Sequence, residues 1–264
     1  MSKKALVSIV TPSYNCGQYI EETIISVKEQ DYPQIEHIVV DGASQDKTID
    51  ILKRYEGQIR WISDGDSGMY EAINKGFAMA KGQILTYINS DDSYYSKDTI
   101  SFIVKEFKKD DSIDFIFGHC AFIDEAGRTL YIYKAPPFNR KIALAYPRIL
   151  FHQPTCFWSK RCHKGFNSSF KYCGDSIFFR YLCKYHKGKN IKRTIAKFRV
   201  REGCLAFMNK EEMSKEDQKV FGSIELRKIP FALKLYDFIY IRTILNLRAN
   251  IKRFLLYYQG RPYL

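Results

Sequence analysis

The chain has 264 residues, 45% hydrophobic and 27% charged, which suits one large α/β domain or one domain with an appended segment. Its net charge of +13 is unevenly placed: 18 Lys+Arg against 21 Asp+Glu over 1–150, then 24 against 8 over 151–264, so the second half is expected to face an anionic partner. The seven cysteines are scattered and contain no C-x-x-C, which excludes a disulfide framework and a paired-cysteine zinc site, and no run of about 18 apolar residues exists to span a membrane.

Leu6–Val10 reads as a strand closed by Thr11-Pro12-Ser13-Tyr14-Asn15, with Pro12 stopping the ladder and Asn15-Cys16-Gly17 turning the chain. The opening MSKKALVSIV runs straight into this strand, so no signal peptide is expected, and reduced cytosolic thiols fit the cysteine pattern. Tyr19–Gln30 is an amphipathic helix with Ile20, Thr23, Ile24 and Val27 on one face and Glu21 and Glu22 in its first turn. Ile35–Val40 is a second strand ending at Asp41-Gly42-Ala43-Ser44, and Asp46 is placed to cap the helix that runs to about Tyr55. Ile59–Ile62 is a third strand, followed by Ser63-Asp64-Gly65-Asp66-Ser67-Gly68, a helix over Met69–Ala80 and Gly82 as a C-cap glycine.

Ile84–Ile88 is an apolar, β-rich strand whose tip is Asn89-Ser90-Asp91-Asp92. Adjacent carboxylates repel, so keeping both ionised favours a cation or strong donor beside them. One or two carboxylates completed by substrate phosphates is a common way to hold Mg²⁺ or Mn²⁺; a solvated turn is the plainer alternative. Lys97–Lys108 then forms another helix. Strands alternating with helices of ten to fifteen residues predict a mostly parallel sheet. Ligands bind such sheets beyond the strand C-termini, where Thr11, Asp41, Asp64, Asp66, Asp91 and Asp92 all fall.

Past Asp110 the pattern changes to short strands at Phe115–Phe117, Ala121–Ile123 and Leu130–Tyr133, expected to be antiparallel. Arg140–Tyr146 reads as a helix, Gln153–Trp158 as a strand, and Gly174-Asp175 opens a helix to about Tyr185. Ile191–Val200 reads as a strand, and 205–225 as a polar helix with loops. Residues 225–259 mix Leu, Ile, Phe and Tyr with Arg and Lys at helical spacing. This segment suits either an anionic membrane surface or a pair of helices packed on the core. The chain is therefore divided into 1–204, with halves 1–110 and 111–204, and a basic amphipathic segment, 205–264.

The blocks VSIVTPSYN, HIVVDGASQDKT, ISDGDSGMYEAINKGFAMAKGQI and YINSDD, in that order over residues 6 to about 95, resemble the family 2 glycosyltransferases of the GT-A fold. The likeness is strongest to bacterial members that build capsular, exopolysaccharide or lipopolysaccharide chains. HQPTCFW and YCGDSIFFRYL extend it to about 185. The resemblance implies a nucleotide-diphosphate sugar donor, usually UDP-linked, a divalent Mn²⁺ or Mg²⁺, and transfer with inversion. It implies a nucleoside pocket lined by Thr11, Pro12 and Tyr14, with Asp41 accepting a bond from the base. Asp66, Gly68, Asn74 and Lys75 match the loop and helix near the donor, Lys75 either balancing phosphate charge or lying on the helix surface. Asp92 matches the metal ligand and Asp91 a ribose or metal contact, with Asn89 where the pattern begins with Asp. Asp175 takes the position of the catalytic base, or is a helix N-cap, with Gly174 standing where the family has a first acid. His152 and Gln153 line the acceptor side, or His152 is a buried structural residue. The implied acceptor is a saccharide or polyprenyl-linked saccharide, and the implied location is cytoplasmic, peripheral to the membrane.

Three rival readings have less support, one of them a nucleotide-sugar-binding protein without activity, which the presence of Asp91, Asp92 and Asp175 argues against. A nicotinamide-dependent or phosphate-loop enzyme lacks both G-x-G-x-x-G and G-x-x-x-x-G-K-[ST]. A nucleic-acid-binding module is suggested by the basic second half, yet no nucleic-acid motif is present, and acidic strand ends repel phosphate unless a cation is bound. No nucleic-acid partner is expected.

Overall fold

A computed structural model describes residues 5–145, 150–201 and 210–221. Nine strands form one mixed sheet in the order β3-β2-β1-β4-β8-β6-β9-β5, with β7 paired to β6. Strands β1 (Val7–Ser13), β2 (Ile35–Asp41), β3 (Arg60–Ser63) and β4 (Ile84–Tyr87) are mutually parallel. Helices α1 (Ile20–Lys28), α2 (Thr48–Arg54) and α3 (Met69–Met79) make the crossovers, and α4 (Thr99–Lys108) follows the two-residue β5 (Ser93–Tyr94). This is the α/β order of strands and crossover helices expected for the first half of the chain.

The helices form where apolar residues recur on one face. In α1, Ile20, Thr23, Ile24 and Val27 are buried, at the spacing expected for one helical stripe. In α3, Tyr70, Ile73, Gly76 and Phe77 face the sheet. Gly76 matters here because a Cβ on it would lie 2.4 Å from Val10 Cγ1, so a hydrogen is all that fits between α3 and β1. Asp46 acts at the start of α2 as expected, accepting from Thr48 N at 2.9 Å, and its other oxygen also ties Gly17 N at 2.8 Å.

Two local expectations are corrected. Pro12 does not stop β1: the strand continues beside β2 to Ser13↔Asp41. Pairing with β4 ends at Val10↔Tyr87, before the proline, so on that side its missing N–H has no ladder bond to make. Gly82 is not a C-cap. Helix α3 ends at Ala80 in extended conformation, and Gly82 N bonds Ser8 Oγ at 2.8 Å, where a Cβ would sit 2.5 Å from that oxygen.

The second half departs further. Phe115–Ile123 is one strand, β6, broken in pattern by Gly118, whose Cα faces Ile195 so closely that a Cβ would lie 2.4 Å from Cγ1. Strand β6 pairs antiparallel with β7 (Thr129–Tyr133), as expected, but parallel with β9 (Gly188–Arg199). The segment read as a strand over Gln153–Trp158 is a 3-10 turn, Gln153–Thr155, followed by β8 (Phe157–Ser159). Because β8 runs antiparallel to both β4 and β6, the strands β6 and β9 point the same way as β4. Arg199, at the end of β9, therefore reaches the same rim as the end of β4. Helices α5 (Arg140–Ala145), α6 (Gly174–Tyr185) and α7 (Lys210–Phe221) complete the description. The basic segment 225–259 lies outside the described residues.

One core cluster packs α3 and α6 on the sheet through Tyr70, Phe77, Trp158, Phe178, Phe179 and Leu182. A second, through Ile100, Ile103, Val104, Ile116 and Phe157, seats α4 on the opposite side. Gly76→Ala should lower unfolding stability by about 1–3 kcal/mol in urea denaturation, the range for overpacking a tight contact; unchanged stability would show that α3 can lift off β1.

Candidate active site

The rim at the C-terminal ends of β2 and β3 is built from the loops that follow them. Asp41 is fully buried, accepting from Ser44 N at 2.8 Å, Ser63 Oγ at 2.8 Å and Ser44 Oγ. Ala43 adopts a left-handed conformation, φ 62°, which brings Ser44 back onto that carboxylate. Asp66 lies against Gly42, where a Cβ would be 2.9 Å from its Oδ2, and accepts from Gly68 N at 2.9 Å. Burial pushes Asp66 above its ordinary carboxylate value. Gly68, φ 139°, opens α3 in a conformation that side chains disfavour. Tyr14 stands 66% exposed at the same rim.

Other residues of the expected donor set make contacts within the fold. Thr11 is buried, its Oγ1 2.9 Å from His37 Nε2, so its hydroxyl serves the packing beneath α1. Pro12 is buried in β1. Asn74 clamps a neighbouring segment, donating to Phe166 O at 2.7 Å and accepting from Phe166 N at 2.8 Å. Lys75 is held by Glu71 at 3.1 Å and Gly65 O at 3.1 Å, with Asp64 at 3.7 Å, so it braces the donor loop.

The tip of β4 carries the acid pair. Asp92 is 1% exposed; its Oδ1 accepts from Arg199 N at 2.9 Å, while Oδ2 has no hydrogen-bond partner. Oδ1 of Asn89 is likewise buried and unpartnered. Burial, reinforced by the Asp91 charge, pushes Asp92 well above its ordinary value. Asp91 accepts from Arg201 Nε at 2.7 Å. Arg199, 2% exposed, donates to Asp91 O at 3.0 Å and Glu125 O at 2.9 Å, pairs with Glu22, and lies over the Tyr19 ring at 4.9 Å. Arg201 thus meets the Asp91 carboxylate with its guanidinium, and Arg199 meets Asp92 with its backbone N–H. Sequence reasoning missed both; FRVRE carries them only as members of the general basic excess of the second half.

Asp175 is the second residue of α6. Its Oδ1 accepts from Ser176 N at 2.7 Å and from the Tyr70 hydroxyl at 3.0 Å. Burial raises it above its ordinary value, the partners opposing. Tyr70 follows the Asp66–Gly68 loop by two residues, so one phenol joins the donor rim to Asp175. The departure at Gly174 has a steric cause: a Cβ there would lie 2.8 Å from the Tyr70 ring. The buried Tyr87, at the end of β4, feels both the Asp175 and Asp92 carboxylates, its phenol raised mainly by burial. Gln153 Nε2 donates to Tyr87 O, placing Gln153 beside the same strand end. His152 packs edge-on between Phe122 at 4.7 Å and Tyr133 at 4.6 Å.

Among the described residues, the group of three metal-type side chains is Asp114, Cys162 and His186. It lies at the start of β6, at the opposite rim from Asp92. Asp114 already accepts from Arg161 Nε at 2.8 Å, Lys187 N at 2.9 Å and Cys162 Sγ at 3.4 Å.

Acids thus gather at the rim where the parallel strands β1 to β4 end, and Asp175 opens α6 within reach of Tyr70. Residues 8–164 match the profile of Glycosyl transferase family 2, and the chain belongs to that family; it is a glycosyltransferase. TuaG of Bacillus subtilis (strain 168), named for teichuronic acid biosynthesis, is 42% identical over 95 residues, covering 34% of this chain; the chain spans 38% of TuaG's length. TarS 1–349 of S. aureus, solved with UDP-GlcNAc, superposes with TM-score 0.65 at 19% identity, over 96% of this chain and 75% of that one. The mannosyltransferase PcManGT of Pyrobaculum calidifontis, solved with GDP-Man and Mn²⁺, gives TM-score 0.60 at 18% identity, over 99% and 77%.

Asp92→Asn should stabilise the metal-free protein by on the order of 1 kcal/mol near pH 8, and not near pH 4. A carboxyl raised in the fold favours the folded state while protonated, and that advantage is lost as pH rises through its folded value. The asparagine does not ionise. Thermal midpoints at the two pH values check this, and an equal shift at both would contradict it.

Proposed function

We propose that the chain transfers a sugar, with inversion, from a UDP-sugar to a hydroxyl of a saccharide or polyprenyl-linked saccharide in bacterial surface polysaccharide synthesis. The observation that carries this reading is that Asp92, just past β4, is buried with Oδ2 unpartnered, while Asp175, opening α6, is tied by the Tyr70 hydroxyl to the helix that follows the Asp66–Gly68 loop. In this reading residues 1–110 hold the donor and 111–204 the acceptor. Segment 225–259 lies against the cytoplasmic face of an anionic membrane.

The residues fit a divalent cation. Oδ2 of Asp92 and Oδ1 of Asn89 are buried oxygens lacking partners, and hard cations take oxygen ligands. Asp92, with Asp91, would hold Mn²⁺ or Mg²⁺, which when bound supplies charge neutralisation to the departing diphosphate. Arg201, paired with Asp91, is positioned to add positive charge at the same place. Tyr14 and Asp41 lie toward the nucleoside, and Asp66 and Gly68 toward the sugar.

An acceptor hydroxyl is a weak nucleophile at neutral pH, so a carboxylate must take its proton as the new bond forms. Asp175 does this. Its raised pKa makes it a stronger base than a surface carboxylate, and the Tyr70 and Ser176 bonds fix its rotamer. The acceptor oxygen bonds to the anomeric carbon as the carbon–oxygen bond to the diphosphate breaks, from the opposite face. His152 and Gln153 line the acceptor path.

Asp175→Asn should lower kcat by about 10²–10⁴-fold with nucleotide binding near wild type, and wild-type turnover would remove Asp175 from the role. For the wild-type enzyme kcat should rise with pH along an acidic limb above the ordinary Asp value of about 3.9, because only the ionised form takes the proton. A thermal-shift screen of nucleotide sugars should show stabilisation by UDP or UDP-sugars that grows with Mn²⁺ and none by NAD. Stabilisation by neither nucleotide would contradict the donor assignment.

A further inference from the structure

We infer that Glu216, on α7, is a positioning residue that clamps the loop from which the Asp175 helix starts. Its Oε1 accepts from Lys171 N at 2.8 Å. Its Oε2 accepts from Tyr172 N at 2.8 Å, Cys173 N at 3.3 Å and Cys173 Sγ at 3.4 Å. Three consecutive backbone N–H groups, immediately before Gly174 opens α6, thus converge on one carboxylate. Glu212, one turn earlier on α7, adds a bond from the Tyr172 hydroxyl at 2.8 Å.

The other side of this loop is held by Tyr70, whose hydroxyl reaches Tyr172 O at 3.1 Å and Asp175 Oδ1 at 3.0 Å. Its ring packs on the Gly174 Cα. The loop is therefore gripped between α3 and α7, and Asp175 is two residues from the grip. Burial alone would raise Glu216, but the backbone donors outweigh it and hold the carboxyl below its ordinary value, as charge-assisted bonds do. Its charge also lies at the N-terminal, positive end of α6. A displacement of about 1 Å in a catalytic group can cost on the order of 10²-fold in rate. The clamp makes a piece of the C-terminal segment part of the transferase site, although residues 210–221 lie outside the motif blocks.

This inference rests on Asp175 being the base, so Asp175→Asn is measured beside the Glu216 variants in the full chain. The assay is UDP release with the UDP-sugar chosen by the thermal screen. Glu216→Ala should lower kcat at least tenfold with donor KM within twofold. It should also move the acidic limb of the kcat–pH profile downward, because a loosened loop admits water to Asp175. Glu216→Gln, which keeps an acceptor without the charge, should fold and give an intermediate kcat. Amide hydrogen exchange at 171–175 should speed up in both. Wild-type kcat and an unmoved limb in either variant, or a lowered thermal midpoint with an unmoved limb, would overturn the positioning role. Full activity of Asp175→Asn would overturn the base assignment itself.

Discussion

Two adjacent carboxylates at the end of a buried strand are an electrostatic problem, and the architecture around them is arranged to meet it. Asp92 is almost wholly withdrawn from water, beside Asp91. In such surroundings like charges repel strongly, and each ionised group needs a donor or a cation. Arg201 supplies positive charge to Asp91 from just past β9, and Arg199 gives Asp92 a backbone N–H, its guanidinium near enough to oppose the rise in the Asp92 pKa. The two-residue β5 strand, immediately after Asp92, is what brings them there: Ser93 pairs with Lys197 and Tyr94 with Ala196. The parallel pairing of β6 and β9 serves the same end, since it directs Arg199 toward the rim that carries Asp41, Asp66 and Asp91. One oxygen of Asp92 is nevertheless left without a donor. The fold balances most of the charge internally and leaves a position that an oxygen-seeking cation suits.

At the start of α6 a second carboxylate is raised by its surroundings and held still. Asp175 is raised by its surroundings, yet Ser176 N and the Tyr70 hydroxyl fix its orientation. Tyr70 is the connecting part. It follows the donor loop closely in sequence, crosses to α6 in space, and needs a glycine at 174 to come that near. A rearrangement of the Asp66–Gly68 loop would therefore be felt at Asp175 through a single phenol.

The first half of the fold was legible because its signals are local. Alternating strands and helices, the buried faces of α1 and α3, and the acids at strand ends are each set within a dozen residues of sequence. The exceptions there are contact effects: Pro12 is tolerated because β4 stops short of it, and Gly82 is needed for its approach to Ser8. The second half was legible in its elements but not in its pairing. Nothing near Phe115 announces that its strand lies parallel to one beginning at Gly188, and the pause at Gly118 reads as a break where the structure has a bulge. At the site, the motifs singled out Asp92 and Asp175, and the structure shows the first buried and the second bonded to Tyr70 and Ser176. Arg199 was not singled out, for it meets Asp92 across 107 residues of sequence. Thr11, Asn74 and Lys75 share the motif blocks and also make contacts within the fold that no motif announces.

The central claim is that the Asp91–Asp92 tip grips a cation that in turn holds a sugar nucleotide. The most direct test is an experimental structure of the full chain soaked with UDP and Mn²⁺. The account predicts the ion on Asp92 Oδ2, the diphosphate on the ion, and Arg201 turned toward phosphate. A diphosphate bound away from the β4 tip, with Asp92 still facing only Arg199, would contradict it.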